Sequence, residues 1–582
     1  MKQVTLGLAG AIGSDPAASI FVDEKLVAAV EEERLVRRRH AKGEMPYLSA
    51  RQCLRKAGLR SSDVTHVAIP YAPVSIFSPG RWHYAYRHWY APDRSLDALI
   101  NGNRRYRRYL LELRDLLDKL HIAAAKVEIV PVPHLIAHAS SAYHLTENDE
   151  RTAIFVVDSK GEYANMFFGY GEQGQIHKIK EFYNPDSLCG MYAALTDYLG
   201  FEIIDGELKV MGIAPFGEPQ KYDLSDLASF NGKDFRVNTR LITTVGLRRY
   251  KAKSRGHYFS RKLVEKLGPR RAGNLLEDPY VHYAAGIQKL YEDMAAGLVL
   301  HYLGSVLKET GRLVVAGSGA MNIRLNQRLN ALPQVRELIV HPACGDPGTA
   351  IGAAAHTARQ AGKRLKPLRH MYLGPSYNTA ECIDACKTHR EKPQWEILNS
   401  PHEKAAGLLT EGHLVAWFRG AMEFGPRALG HRSILANPCH PGVIETINKQ
   451  VKFREHWRPF SPSVLDEVAS EMLPEKYHNK YMCLSSPVSP QWQEKYPVFA
   501  YRDGTTRAQV VDADSSPDFY RLLKSFQEKS GHGLLINASL CRPGEALICS
   551  PEDAINMFMG TDLVYMILED LLITKRAESE TW

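Results

Sequence analysis

No hydrophobic run in this chain is long enough to cross a lipid bilayer. A transmembrane helix needs about 20 consecutive apolar residues, and no apolar stretch of the 582-residue sequence approaches that length. The first apolar run, residues 4–10, gives way to glycine-rich turn residues and Asp15, which is typical of a buried strand and not of a signal peptide. We therefore expect a cytoplasmic protein without a membrane partner.

The cysteines lack the even count and repeated spacing of a disulfide framework. There are nine of them, scattered irregularly along a long chain, which predicts reduced thiols. Cys382 and Cys386 lie one helical turn apart, and this spacing favours the buried face of a helix over a metal-binding pair.

A strong excess of either charge is also missing. The 73 basic and 65 acidic side chains leave a net charge of +8, which suits acidic substrates such as nucleotides without demanding a nucleic acid. In residues 81–114 aromatic side chains alternate with arginines, a pattern that could stack bases and pair with phosphates. We favour a helical insertion that buries its aromatic side chains beside a pocket or a partner subunit, so a nucleic-acid partner is not expected.

The pattern of apolar runs predicts an α/β protein. Strand-like runs at residues 154–157, 313–316 and 338–340 alternate with helix-like stretches such as residues 284–309. The length of the chain suggests two or three domains.

A basic stretch with proline and glycine, residues 363–375, separates an alanine-rich helix from a new pattern. Such composition is common between domains. We place the main boundary there, with a first domain of residues 1–365 and a second domain of residues 366–582.

Between residues 417 and 463, cationic side chains are interleaved with glycine, proline and serine. A solvated helix has no reason to carry Gly-Pro pairs, which interrupt a helical backbone, whereas guanidinium groups suit bidentate phosphate contacts. We predict an anion pocket whose cations are Arg427, Arg432, Lys452, Arg454 and Arg458. Neutral hydrogen bonds to a ligand could come from Ser461, Ser463, Asn537 and Ser539.

Two histidines and two aspartates form a candidate metal site. His134 and His138 are four residues apart and share one helix face, while Asp158 and Asp346 follow short apolar strands, where α/β sheets build their sites. A histidine pair alone is more often structural, and the aspartates shift those odds without reversing them. Imidazole and carboxylate ligands suit Fe(II), Mn(II) or Zn(II).

A glycine-rich turn spans residues 316–322. Gly317 and Gly319 would let backbone N–H groups approach a phosphate, and Asn322 at the end of the turn is a further candidate nucleotide contact. A tight turn without a ligand is an equally good interpretation of the residues alone.

Several blocks resemble, in order and spacing, the carbamoyltransferases of NodU proteins and antibiotic O-carbamoyltransferases. The blocks are residues 134–143, 209–217, 316–322, 345–350, 417–463 and 507–511, and the likeness extends from about residue 4 to about residue 575. The resemblance implies an actin-like, sugar-kinase-like ATPase-fold first domain of two lobes, followed by a YrdC-like α/β domain.

The resemblance also implies an activity. The second domain would combine ATP, with Mg²⁺, and carbamoyl phosphate into carbamoyl-adenylate, and the first would transfer the carbamoyl group to a hydroxyl of a small-molecule natural product, as in antibiotic biosynthesis. Arg427 would act in the first step, Lys209 and Arg507 would contact the nucleotide, and the histidine and aspartate pairs would hold a divalent metal, usually iron. The resemblance is also compatible with a homodimer.

The chain departs from this family at three places. Ser14 stands where the family carries the histidine thought to be the base that deprotonates the acceptor; the adjacent Asp15 could replace it, or an amine acceptor could need less help. Ser318 replaces a glycine, and Ala538 and Cys541 replace a threonine and an asparagine. The alternatives are therefore N-carbamoylation, or a nucleic-acid-modifying or nucleotide-binding homologue that has lost the base.

Overall fold

The computed structural model describes residues 2–10, 12, 15–89, 91–147, 149–243, 257–453, 455 and 460–575. Ser14, Arg454 and Arg458, three of the predicted site residues, lie outside the described residues. The chain forms two compact units. The first contains residues 1–13, 21–26 and 61–367, and the second contains residues 14–20, 27–60 and 368–582.

The first sheet is formed by five strands near the N-terminus. They are β1 (Val4–Ala9), β2 (Ala17–Val22), β3 (Lys25–Glu31), β4 (His66–Ile69) and β5 (Glu128–Pro131), arranged in the order β3-β2-β1-β4-β5. The short connections make β1, β2 and β3 an antiparallel meander. Strand β4 is parallel to both β1 and β5.

The second sheet has the same order. Seven strands follow along the chain: β6 (Thr152–Val157), β7 (Ala164–Glu172), β8 (Gln175–Tyr183), β9 (Ala228–Phe230), β10 (Phe235–Val237), β11 (Arg312–Ala316) and β12 (Glu337–Val340). Strands β9 and β10 pair with each other, and the other five form a sheet in the order β12-β11-β6-β7-β8. Strand β7 is antiparallel to both β6 and β8, and β11 is parallel to β6 and β12. All residues of β6 are buried, as its unbroken apolar sequence predicts.

The second unit is built on an eight-stranded mixed sheet. The remaining strands are β13 (Gln394–Ile397), β14 (Val415–Phe418), β15 (Arg432–Ala436), β16 (Ser461–Leu465), β17 (Ser486–Pro487), β18 (Thr505–Thr506), β19 (Gln509–Val511), β20 (Leu534–Ser539), β21 (Tyr565–Leu568) and β22 (Leu571–Thr574). The sheet order is β13-β22-β21-β14-β15-β20-β16-β19, and β17 pairs with β18. Apolar clusters cover both faces of this sheet.

Two helices of the second unit come early in the chain, α1 (Glu32–Val36) and α2 (Tyr47–Lys56). The helices of the first unit are α3 (Pro79–Arg87), α4 (Pro92–Ile100), α5 (Arg104–Lys119), α6 (His134–Tyr143), α7 (Leu188–Tyr198), α8 (Gly206–Ile213), α9 (Arg261–Leu267), α10 (Tyr280–Thr310), α11 (Ile323–Asn330) and α12 (Asp346–Gln360). The second unit continues with α13 (Thr379–Thr388), α14 (Pro401–Thr410), α15 (Val443–Ile447), α16 (Asp466–Met472), α17 (Pro490–Lys495), α18 (Pro517–Ser530) and α19 (Pro551–Met559). None of the helices in the described ranges is long and apolar enough to span a membrane.

Helices α6 and α12 cross at very short range because small residues line the crossing. A Cβ placed on Gly352 of α12 would lie only 1.7 Å from the carbonyl oxygen of Ala137 on α6. Only glycine allows that approach. The crossing brings the first turns of the two helices, which begin at His134 and Asp346, into one region of the first unit.

The sequence predictions for these elements are confirmed. The predicted strands are β6, β11 and β12, and the predicted long helix is α10. Cys382 and Cys386 are buried on α13, and all nine cysteines are free thiols. Trp82, Tyr86 and Trp89 differ from the expectation of a buried aromatic insertion, because they are exposed on and beside α3.

Candidate functional sites

The four predicted metal ligands lie together in the first unit. His134 and His138 project from α6, Asp158 follows β6, and Asp346 begins α12. One ligand atom from each lies within 4.8 Å of the others. Nε2 of His134 is 3.6 Å from Asp158 and 3.8 Å from Asp346, and Nε2 of His138 is 3.8 Å from Asp158. We call these four residues the metal cluster.

Neighbouring groups orient the first histidine. Nδ1 of His134 lies 3.3 Å from the carbonyl oxygen of Pro70, and the ring stacks on Tyr71 with a centroid distance of 5.3 Å. Donation from Nδ1 to that carbonyl leaves the lone pair on Nε2, the nitrogen that faces the carboxylates. The carboxylate of Glu162 accepts hydrogen bonds from the backbone N–H groups of His134 and Ala72.

The donor atoms fit a divalent cation. Nε2 of His134 and both ring nitrogens of His138 are buried without a hydrogen-bond partner in the described part of the chain. A buried polar atom left in that state costs about 1–3 kcal/mol, a cost that a bound ion would remove. Two imidazoles and two carboxylates match the preferences of Fe(II), Mn(II) or Zn(II).

The two histidines differ electrostatically in the absence of metal. Burial opposes protonation of His134, but the carboxylates of Asp158 and Asp346 outweigh it and raise its pKa to about 9. Burial and the neighbouring His134 lower the pKa of His138 to about 3. Although burial raises the pKa of Asp158, the two nearby histidines and the hydrogen bond from Ser318 hold it well below its usual range.

The glycine-rich turn supports the metal cluster. The amide and hydroxyl of Ser318 both donate to Oδ1 of Asp158, at 2.9 and 2.5 Å. Gly317 has a φ of +94°, and a Cβ there would lie 2.2 Å from the carbonyl of Val157, so glycine is needed for packing against β6. A Cβ on Gly319 would meet the hydroxyl of Tyr291 at 2.5 Å.

Two other predicted nucleotide contacts have protein partners. The side chain of Asn322 caps α11 and exchanges two hydrogen bonds with Gln288, each of 3.0 Å. Lys209 lies on α8 with its ammonium 5.5 Å from the centre of the Phe201 ring. Any nucleotide contact from either side chain therefore competes with these interactions.

In the second unit, one buried carboxylate shapes the loop of residues 423–432, which we call the glutamate loop. Oε1 of Glu423 accepts from the backbone N–H groups of Leu429, His431 and Arg432, at 2.8, 2.8 and 3.1 Å. The loop therefore presents Arg427, which is half-buried, from a fixed backbone. Glu423 lies within the block of residues 417–463, and the sequence pattern alone does not predict this role for it.

Arg432 is the first residue of β15 and is fully buried. Its guanidinium carbon lies 3.5 Å from the centre of the Phe418 ring, and one terminal nitrogen donates to the carbonyls of Arg419 and His431. The other terminal nitrogen and Nε have no hydrogen-bond partner in the described part of the chain. Burial lowers the pKa of this guanidinium. Two buried donors are therefore oriented and unused.

Two of the predicted polar residues, Ser463 and Asn537, form a connected group with Gln509 at one end of the eight-stranded sheet. The Ser463 hydroxyl donates to Oε1 of Gln509 at 2.7 Å, and the Asn537 amide donates to Ser463 and Gln509 at 2.9 and 3.1 Å. Gln509 also donates to the carbonyl of Leu429 in the glutamate loop. We call Ser463, Gln509 and Asn537 the sheet-end triad. Gln509 was missed because a glutamine inside a strand carries no motif, although it lies in the block of residues 507–511.

Cations surround this end of the sheet. Nε of Arg507 donates to the Ser461 hydroxyl at 2.9 Å, and Lys452 donates to the backbone carbonyls of Ser539 and Cys541 and to the Ser539 hydroxyl. Burial raises the pKa of Cys483 to about 12, against the charges of Arg427 and Arg507. Arg427 and Arg507 therefore lie near the same thiol.

Of the two residues that differ from the family here, Ala538 packs against the apolar core, which suits its small apolar side chain. Cys541 supplies its backbone carbonyl to Lys452, a contact that any residue could make.

Asp15 belongs to the second unit and has a histidine partner that sequence reasoning missed. One carboxylate oxygen lies 2.6 Å from Nδ1 of His40. The family base position, Ser14, falls outside the described residues. Nothing in the local sequence signals the pairing, because 25 residues separate the two side chains.

The strand order of the first two sheets defines the fold class of this part of the chain. Two sheets with one strand order, each a meander followed by two parallel strands, give the first part of the chain the two-lobed, actin-like, sugar-kinase-like fold, and a mixed α/β domain follows it. The predicted fold class is confirmed.

Comparisons with known proteins then identify the family. The family model described as carbamoyltransferase N-terminus matches residues 5–355, and the model described as carbamoyltransferase C-terminus matches residues 406–575. The chain belongs to the carbamoyltransferase family and is a transferase.

Two relatives align over nearly the whole chain. An uncharacterised protein of Synechocystis is 30% identical over 607 residues, covering 97% of this chain and 96% of the relative. Nodulation protein NolNO of Sinorhizobium fredii is 29% identical over 600 residues, covering 100% of this chain and 82% of the relative.

Among solved structures, the activator of 2-hydroxyisocaproyl-CoA dehydratase from Clostridium difficile, with bound ADPNP, matches with a TM-score of 0.31 and 14% identity. The match covers 63% of this chain and 99% of the activator.

Proposed function

We propose that this carbamoyltransferase works in two ATP-dependent steps. In the first, ATP and carbamoyl phosphate form carbamoyl-adenylate in a YrdC-like second domain, residues 366–582, releasing phosphate and pyrophosphate. In the second, the carbamoyl group passes to a hydroxyl of a small-molecule natural product in the first domain, residues 1–365, and AMP leaves. Membership of the family supports the transferred group, and the site geometry supports the division of labour.

The observation that carries the proposal is the cationic end of the eight-stranded sheet. Activation brings two multiply charged phosphates together, and the repulsion must be offset by fixed positive groups. Arg432 offers two buried, unbonded donors, and Lys452 and Arg507 are held in place by the backbone and by Ser461. A preorganised cationic site of this kind is suited to anionic substrates, because little reorganisation is needed when they bind.

The polar side chains of this site have two separable roles. The members of the sheet-end triad bond to one another and to the Leu429 carbonyl, so we assign the triad to holding the glutamate loop in place. Oδ1 of Asn537 is buried without a partner in the described part of the chain, so this atom could accept a hydrogen bond from a ligand. Arg427 projects from that loop and would contact a phosphate directly. Arg454 and Arg458 complete the proposed cationic set on sequence grounds.

The metal cluster supplies the second proposed site. His134, His138, Asp158 and Asp346 would hold a divalent metal, with Fe(II) the usual ion of the family. A metal there would act as a Lewis acid on the carbamoyl-adenylate. Ser318 keeps the Asp158 carboxylate in position by two hydrogen bonds.

The test is pyrophosphate release from ATP with and without carbamoyl phosphate. We expect release that requires carbamoyl phosphate and is lost in Arg427→Ala, with Arg390→Ala, at an exposed position of the second unit, as the matched control. Release that is independent of carbamoyl phosphate, or absent in metal-replete protein, would refute the activation step. Screening alcohols against amines as acceptors then decides between O- and N-carbamoylation.

A further inference from the structure

Exposed apolar side chains are concentrated in one segment of the first unit, residues 76–111, which we call the aromatic insertion. Of the thirteen large apolar side chains that are exposed in the described part of the chain, eight lie in this segment. Single exposed apolar side chains are normal, whereas a group of them marks an interaction surface.

Three of the exposed rings follow one face of α3. Trp82, Tyr86 and Trp89 are 53%, 70% and 74% exposed, and spacings of four and three residues place them on the same side of the helix. Arg81 and Ala85, on another side, are buried. Helix α3 therefore packs with one face and presents an aromatic face to solvent.

Buried contacts hold α3 in place. The carboxylate of Asp186, which is 1% exposed, accepts from two nitrogens of Arg87 at 3.1 and 2.7 Å and lies 2.9 Å from Nε2 of His83. The hydroxyl of Ser95 on α4 donates to the carbonyl of Ala85 at 2.7 Å. The rings are therefore exposed on a helix whose inner face is fully engaged.

The aromatic insertion is positively charged. It contains seven arginines and two aspartates, and both aspartates lie on α4. Four of the arginines form the first turns of α5 and are exposed: Arg104, Arg105, Arg107 and Arg108.

These arginines begin where the exposed rings begin. The side chain of Asn103 exchanges hydrogen bonds of 2.9 and 3.0 Å with the backbone of Val74, which brings the loop of Phe77 to the start of α5. A Cβ on Gly102 would lie 2.0 Å from the guanidinium of Arg81, so the first turn of α3 packs at the same place. Rings and cations thus belong to adjoining parts of one surface.

We infer that the aromatic insertion docks on an anionic phospholipid surface. Aromatic side chains favour the boundary between lipid headgroups and acyl chains, and neighbouring arginines pair with lipid phosphates. The protein lies on such a bilayer without crossing it. This revises the expectation of a protein without a membrane partner, which rested on the lack of a long apolar run.

The charge of the insertion disfavours a second copy of this chain as the occupant. In a symmetric dimer each surface meets its own copy, so the arginines of α5 would approach one another. Like charges brought together oppose association, whereas anionic headgroups complement them.

The aliphatic side chains disfavour a nucleic acid. Single-stranded nucleic acids stack their bases on aromatic rings, and an aliphatic side chain offers no such face. Half of the exposed apolar side chains here are aliphatic: Ile76, Leu96, Ile100 and Leu111. Acyl chains accommodate both kinds of side chain.

Membrane docking is separate from the proposed chemistry. None of these side chains belongs to the metal cluster, the glutamate loop or the sheet-end triad. Docking would add a location to the transferase, and it can fail or succeed independently of the two-step reaction.

The test is sedimentation of the full-length protein with phosphatidylcholine vesicles, with or without phosphatidylglycerol. We expect binding that requires phosphatidylglycerol and weakens as salt is added. In mixed vesicles whose phosphatidylcholine is brominated along the acyl chains, we expect quenching of tryptophan fluorescence, because the rings of α3 enter the bilayer.

Two double variants separate the rings from the cations. Trp82→Ser with Trp89→Ser should weaken vesicle binding at least about 10-fold, and Ile179→Ser, at an exposed position of β8, is the control. Arg104→Gln with Arg105→Gln should weaken it about 5-fold for each arginine. Arg261→Gln with Lys262→Gln, at exposed positions of α9, is the matched control.

Several results would overturn the inference. Equal binding to both kinds of vesicle, or no binding at low salt, excludes an anionic lipid surface. Equal losses in the test and control variants place the contact elsewhere. A dimer in light scattering that Trp82→Ser with Trp89→Ser dissociates, without vesicle binding, assigns the surface to a second copy. Binding of polyuridine in place of vesicles assigns it to a nucleic acid.

Discussion

The metal cluster and the sheet-end triad differ in how completely their polar atoms are hydrogen-bonded. In the metal cluster three ring nitrogens are buried without hydrogen-bond partners in the described residues. Ser463, Gln509 and Asn537 instead bond to one another and to the glutamate loop, and among their side-chain atoms Oδ1 of Asn537 is the one buried without a partner. A buried polar atom without a hydrogen-bond partner lowers the stability of the folded protein unless a ligand binds to it. The comparison separates side chains that wait for a ligand from side chains that hold another part of the protein in shape.

We expect the largest effect from removing a metal ligand. Replacing a residue that only hydrogen-bonds a metal ligand lowers metal affinity by roughly 10- to 100-fold. We expect His138→Ala to lower the affinity by much more, because it removes one of the two imidazole ligands. Titration of the metal-free protein with Mn(II) or Zn(II) measures this. His144→Ala is the matched control, since His144 is also buried and directly follows α6. Equal affinity in both variants would contradict the assignment.

A pH-dependent effect is expected at the cationic end of the sheet. Burial raises the pKa of Glu569 to about 7 from its ordinary 4.5, although Arg432 and Arg419 oppose the shift. Since the unfolded chain ionises first, the free energy of unfolding should fall as pH rises from about 4 to about 7, by up to about 3 kcal/mol.

The Glu569→Gln variant should remove this loss. It should match the unmodified protein near pH 4 and be the more stable of the two at pH 8 in urea denaturation. Glu403→Gln, at an exposed position, should show no such difference. Parallel stability curves for Glu569→Gln and the unmodified protein would show that the carboxyl is not held protonated.

The sheet-end triad should behave as one cooperative unit. We expect Gln509→Leu to lower the free energy of unfolding by about 1–3 kcal/mol, because it leaves polar groups of Ser463, Asn537 and Leu429 without their partner. In a double-mutant cycle with Asn537→Ala, the two losses should fall short of additivity by at least about 0.5 kcal/mol. Strictly additive losses would mean that the two side chains do not depend on each other.

We expect the smallest effect from removing the Ser318 hydroxyl, which hydrogen-bonds the proposed metal ligand Asp158. Ser318→Gly removes the hydroxyl that donates to Asp158 and leaves the backbone donor in place. We expect a loss in Zn(II) or Mn(II) affinity of about 10-fold, the low end of what such neighbouring contacts are worth. Ser318→Thr, which keeps a hydroxyl, should retain most of the affinity. No difference between the glycine and threonine variants would rule out this role.

The sequence anticipated features that depend on local spacing. His134 and His138 share a face because four residues separate them, and the apolar runs of β6, β11 and β12 place Asp158 and Asp346 near strand ends. The α/β class follows from the same periodicity. Local pattern was sufficient at these positions because each side chain's orientation is set by its own helix or strand.

Features made by distant partners were not predictable in this way. His40 pairs with Asp15, 25 residues earlier in the chain, and Gln509 bonds to residues of β16 and β20. The hydrogen bonds of Asn322 with Gln288, 34 residues away, are likewise absent from the local pattern around the glycine-rich turn. Each of these roles depends on which strands and loops are brought together by packing, and single-sequence composition does not encode that choice.

The repeated sheet order gives the metal cluster an internal symmetry. The helix that follows the last strand of the first sheet begins at His134, and the helix that follows the last strand of the second begins at Asp346. The ligands thus come from equivalent positions of two structural repeats. Any motion that separates α6 from α12 must lengthen the distance between His134 and Asp346, so a bound ion would oppose it. Metal binding at this cluster would therefore be thermodynamically linked to any separation of α6 from α12.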